Sequence, residues 1–117
     1  MGGAMLKNVP VMLEGYKLRV TEEPALKTYT TDGGAQEIAV DPTTKTNLFV
    51  VSLLMKQRAT ESRSAGKGFE VKVTLEADPG EVDEGQLVEL IQPRISQWSM
   101  NGREGVAVRA AGLSPVS

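Results

Sequence analysis

The sequence contains neither cysteine nor histidine. Without cysteine there is no disulfide framework, no thiol nucleophile and no thiolate zinc site. Without histidine there is no Ser-His triad, no proton carrier of the usual kind near neutral pH, and no imidazole ligand for a transition metal. An enzyme would be left with carboxylate or lysine chemistry, so the expectation is a non-enzymatic protein with no cofactor and no metal. Aromatic residues are scarce: one Trp, two Tyr and two Phe. No apolar run is long enough to cross a bilayer. The opening "MGGAM" lacks the basic segment and apolar stretch of a secretion signal. A cytoplasmic location with no membrane association is expected. No internal repeat is present.

The 117 residues suit a single domain, 1–117, with 40% hydrophobic and 24% charged residues. The net charge is −2 and the sequence pI is near 5.2. That balance argues against a uniformly basic nucleic-acid binder, but it leaves room for a basic face segregated from acidic turns.

Six Pro and 12 Gly punctuate short apolar runs, which points to β-structure. The best helical candidate, "DPGEVDEGQLVELI", is interrupted by Gly80 and Gly85. Five strand regions are expected. In "VMLEGYKLRV" (11–20), Tyr16, Leu18 and Val20 alternate with Lys17 and Arg19. "TNLFVVSLLMKQR" (46–58) is the most apolar and reads as a central strand. "FEVKVTL" (69–75) sends Phe69, Val71, Val73 and Leu75 inward and Glu70, Lys72 and Thr74 outward. "QLVELI" (86–91) continues past Pro93, where the missing N–H predicts a bulge, bend or edge. "GVAVRAAGL" (105–113) closes the domain. Residues 1–8 are expected to be flexible, 30–45 to be a flexible link, and 59–68 to be a mobile hairpin tip. Together these predict an all-β protein, a small five-stranded Greek-key barrel resembling the OB-fold. A β-sandwich and an SH3-like barrel are the alternatives.

The stretch "PRISQWSMNGREGVAVRA" (93–110) concentrates the chemistry. Asn101-Gly102 is the strongest short hairpin signal, because a type I′ turn needs positive φ at both central positions. Counting outward, Met100 opposes Arg103, Trp98 opposes Gly105, Ser96 opposes Ala107 and Arg94 opposes Arg109. The other face carries Ile95, Val106 and Val108 and is expected to meet the core. A lone Trp more often belongs to a core. Here a one-residue slip would bury the arginines and expose Ile95, Val106 and Val108, so the Trp face is placed in solvent. Gly105 and Ala107 keep the surface low beside the indole. A nucleic-acid base has the flat shape to lie there, with arginines meeting phosphates.

Other cations extend this face into one expected groove: Lys17, Arg19, Lys72, Arg94, Trp98, Arg103 and Arg109. Lys56 and Arg58 end the long strand, and Arg63 and Lys67 sit in the 59–68 tip, which would act as a flap. The acidic turn 76–85 is expected to lie away from the groove. Its Glu81, Asp83 and Glu84 sit in a Gly-rich solvated segment unsuited to a catalytic pair, and their spacing matches no EF-hand loop. Tyr16 and Phe69 are expected in the core, and Tyr29 is a candidate second stacking platform.

The order and spacing of "FEVKVTLEADPGEVDEGQLVELIQPRISQW" and "GVAVRAAGLSPV" resemble the C-terminal half of the filamentous-phage gene-five-type single-stranded-DNA-binding proteins over about residues 69–116. Small OB-fold proteins of phages and mobile elements look similar. The resemblance implies an OB-fold, dimerisation and sequence-tolerant coating of single strands, with the family's mobile basic hairpin at 56–67. The chain is longer at its N-terminus and more acidic than that pattern, and no family aromatic falls on a matching position. The expected function is single-stranded DNA binding, with DNA favoured over RNA, in replication or transfer of a phage or mobile element, by a homodimer or higher assembly. The alternative is a protein-interaction scaffold that uses the same Trp–Arg face.

Overall fold

The computed structural model describes residues 5–59 and 66–116. Ten strands follow in order: β1 (Val9–Pro10), β2 (Tyr16–Leu26), β3 (Thr28–Thr30), β4 (Gln36–Ile38), β5 (Phe49–Gln57), β6 (Phe69–Leu75), β7 (Leu87–Ile91), β8 (Arg94–Met100), β9 (Arg103–Ala110) and β10 (Gly112–Pro115). No helix occurs among the described residues, so none is long and apolar enough to cross a membrane.

Eight strands form one sheet in the order β1-β8-β9-β6-β5-β2-β7-β10. Every pairing is antiparallel except β6 with β9. The sheet curls because residues from distant places in that order share one core. Leu18 and Val20 of β2, Val51, Leu53 and Met55 of β5, and Val73 and Leu75 of β6 meet Val88, Ala110 and Leu113. The period-two patterns account for this directly. In β6, Val73 and Leu75 are fully buried while Glu70 and Lys72 are exposed. In β2, Leu18 and Val20 point in while Lys17 and Arg19 point out, until register shifts between Val20 and Glu22 and between Glu22 and Ala25 turn the strand. Such bulges add local twist and bend a strand around a core.

Two strands bend between neighbours. Gln92 has φ 51° and Pro93 follows it, so the ladder of β7 stops at Ile91 and β8 starts at Arg94. The Pro93 carbonyl is not wasted, since it accepts the Val11 N–H at 3.1 Å. Ala111 similarly separates β9 from β10, and its N–H bonds to the Ile91 carbonyl at 2.8 Å.

Three expectations are corrected here, on residues 30–45, Phe69 and Val106. Residues 30–45 are not a bare link. β3 and β4 pair as a hairpin, Val40 bridges Asn47, and Lys27 N–H bonds to the Leu48 carbonyl at 2.8 Å. Residues 5–8 run beside β8: Leu6 and Gln97 exchange hydrogen bonds, and Asn8 N–H donates to Ser96 Oγ. Phe69 is 53% exposed and Val106 is 56% exposed, although both were expected in the core. The reason is common to the two. The parallel ladder of β6 and β9 spans only Val73–Leu75 against Val108–Ala110, so among the described residues Phe69 and Val106 have a paired strand on one side only. The 59–68 tip falls largely outside the described residues, and Arg63 with it.

Candidate functional site

The β8–β9 hairpin turns at Asn101 and Gly102, with φ 51° and 78°, which is the left-handed pair a type I′ turn demands. The ladder then pairs Met100 with Arg103, Trp98 with Gly105, Ser96 with Ala107 and Arg94 with Arg109, as the turn chemistry predicts. Gly105 is the seat of the indole. A Cβ built there would lie 2.6 Å from Trp98 Cε2 and 2.8 Å from Nε1, distances no real side chain tolerates. The ring lies across the glycine and remains 43% exposed. Trp98, Met100, Asn101 and Arg103 line a shallow open depression at the hairpin end.

Register carries this face across the sheet. Arg109 sits beside Thr74, Thr74 opposes Val50, and Lys72 opposes Ser52. Alternation along β5 continues to Lys56, which opposes Lys17, and Leu54 opposes Arg19. Lys17, Arg19, Lys56, Lys72, Arg94, Trp98, Arg103 and Arg109 therefore share the outer face of one sheet. Arg58 does not join them. Its N–H bonds to the Gly15 carbonyl, and its side chain lines a groove of about 450 Å³ with Leu13, Tyr16 and Val88. Lys67 is exposed just after the undescribed segment.

The arginines are less available than their spacing suggests. Arg94 and Arg109 stand directly opposite each other, a like-charge pair that is unfavourable by itself. Carboxylates resolve it. Glu76 Oε1 accepts from Arg94 Nη2, and Glu76 Oε2 accepts from Arg109 Nε at 2.6 Å. Asp41 Oδ2 accepts from Arg109 Nη2 at 2.6 Å. The expectation that the acidic segment lies away from this face fails at Glu76, which opens that segment and sits on the face itself. Arg19 is also engaged, donating to the Gly85 carbonyl at 2.7 Å. Among the described residues, Lys17, Lys56, Lys72 and Arg103 form no ion pair.

Both carboxylates titrate below the ordinary range. For Asp41 the main causes are N–H donation from Thr43 and Thr44, then the Arg109 charge. For Glu76, partial burial opposes ionisation, but hydrogen bonds from Arg109 and Arg94 outweigh it. Lys27 reaches the same place. It donates to Thr74 Oγ1 at 2.9 Å, and burial with the nearby Arg109 charge lowers its pKa.

Tyr29 is half exposed and lies on the β3–β4 hairpin. Its hydroxyl donates to Glu37 Oε2 at 2.9 Å, and that bond raises its pKa. A carboxylate beside the ring makes it a poor companion for phosphate. Sequence reasoning missed Asp41, Glu76 and the exposure of Phe69. The Arg94–Arg109 register was the available signal, because two opposed guanidiniums require a counter-charge. Among the described residues no three acidic side chains cluster as a metal site would require. No protein-family model matches the chain, and neither a curated protein nor a solved structure does.

Proposed function

We propose that this protein binds single-stranded DNA without sequence preference and without catalysis, using the outer face around Trp98. The observation that carries the reading is an exposed indole laid over Gly105, on the same sheet face as four cations that form no ion pair among the described residues, Lys17, Lys56, Lys72 and Arg103. An aromatic ring supplies stacking that any base satisfies, and cations along a strand path supply phosphate attraction. DNA is favoured over RNA, and a homodimer or higher assembly serving replication or transfer of a phage or mobile element follows from the gene-five-type resemblance. The barrel reading has support of its own. If β7 with β8 and β9 with β10 are each read as one bent strand, five strands remain, and the parallel β6–β9 contact falls between the third and the fifth, an arrangement that supports an OB-like Greek-key reading of the curled sheet.

A second reading has a specific observation behind it. Met100 and Val106 are 67% and 56% exposed on the two faces of the same hairpin, an apolar arm that suits a protein partner. Titration with oligo-dT separates the two, with Trp98 as the sole indole. The single-strand reading expects quenching that added salt reverses, and Trp98→Ala should weaken binding by about 1–3 kcal/mol. Unchanged emission at low salt, with the protein folded, would favour the protein-docking arm.

A further inference from the structure

The outer face carries two cross-strand pairs of like charge, and the molecule treats them differently. Lys17 and Lys56 oppose each other with no carboxylate within ion-pair distance among the described residues. Arg94 and Arg109 oppose each other with two carboxylates engaged, Glu76 bridging both and Asp41 holding the second. These arginines are not buried away from a ligand, for their side chains keep 23% and 31% of their surface exposed. Asp41 is delivered from a distance, by the 27–48 excursion, and a turn fixes it: Thr43 N–H donates to its Oδ1 at 2.8 Å while Oδ2 takes the guanidinium. The anionic partner of this half of the face is therefore already built into the chain.

We propose that Asp41 and Glu76 are specificity-determining residues, withholding Arg94 and Arg109 from phosphate so that stacking on Trp98 carries a larger share of binding and single strands are preferred to duplexes. The inference rests on the nucleic-acid reading above. A duplex hides its base faces and binds through phosphates, so it suffers most when guanidiniums are withheld. A single strand still offers its bases to the indole, whose seat on Gly105 does not depend on the ion pairs.

The test compares the wild type with the Asp41→Asn, Glu76→Gln double variant, using oligo-dT and a duplex oligonucleotide over a range of salt. Both substitutions keep acceptor oxygens and remove charge. Two released contacts should steepen the single-strand dependence of log K on log salt by about 1.4, at roughly 0.7 each, and raise low-salt affinity on the order of tenfold. Duplex affinity should rise by at least as much, which narrows the preference. If the wild type binds oligo-dT while the folded variant shows the same or weaker affinity and an unchanged slope, the carboxylates only anchor the fold and this proposal falls alone. If neither protein binds either oligonucleotide, the nucleic-acid reading falls and takes this one with it. Should near-ultraviolet circular dichroism show the double variant unfolded, Glu76→Gln alone, which leaves Asp41 on Arg109, is expected to steepen the slope by about 0.7. Loss of folding in that single variant would make Glu76 structural and overturn the assignment.

Discussion

At the scale of single residues, Trp98 and Gly105 act as one unit. The glycine contributes the absence of a side chain, and the indole fills that space. Gly105→Ala should push the ring off the strand, at a cost on the order of 1–3 kcal/mol for the overpacked contact. The emission of Trp98 should shift to the red and its response to oligo-dT should change, while far-ultraviolet circular dichroism stays the same. An unchanged emission maximum would show that the ring does not depend on that seat. This pairing was legible in the sequence because Asn101-Gly102 fixes the turn and the turn fixes every opposed pair. The carboxylates on Arg109 were not legible. They come from 33 and 68 residues away, and no local pattern reports such contacts.

At the scale of elements, the 27–48 excursion is closed on itself by backbone bonds and pinned to the sheet by side chains. Asp41 meets Arg109, Lys27 meets Thr74, and the amides of Ala39 and Leu48 bond to the carbonyls of Lys27 and Ala39. Composition suggested a loose link, since Gly, Asp and Thr favour turns. They do form the turns here, but a hairpin of two three-residue strands and an Asp-centred turn organise what lies between them. Asp41 and Glu76 have lowered folded-state pKa values. Their stabilisation is therefore complete above the ordinary carboxylate range and is lost as pH falls from that range through their lowered folded-state values. The cations bonded to them are Arg94 and Arg109. The melting temperature of the wild type should drop as acid is added, and the double variant Asp41→Asn, Glu76→Gln should show a shallower decline. Faster hydrogen exchange at Ala39 and Leu48 should accompany the acid loss. Parallel pH curves for the two proteins would exclude the clamp as the acid-sensitive element.

At the scale of the whole molecule, one apolar layer holds the curled sheet. Leu53 lies at its centre, fully buried on β5 between β2 and β6. Leu53→Ala should cost about 2–5 kcal/mol, read as a lower urea midpoint with an unchanged slope. A change under about 0.5 kcal/mol would mean the layer is slack there. The all-β character and the long central strand were readable from alternation and from the run of apolar residues. The extent of the parallel β6–β9 contact was not, because alternation tells which way a side chain points and not whether a neighbouring strand is present to cover it. Phe69 and Val106 were misjudged for that reason. The bend at Gln92–Pro93 was anticipated from proline, and it has a mechanical consequence. Residue 6 is bonded beside Gln97 and residue 116 beside Leu87, near opposite ends of β7–β8. A pulling force applied between residues 6 and 116 would run along the strands in shear, loading many hydrogen bonds at once instead of unzipping them singly. The load path would be segment 87–100, and the corner at Gln92–Pro93 would be the first part of it to straighten under tension.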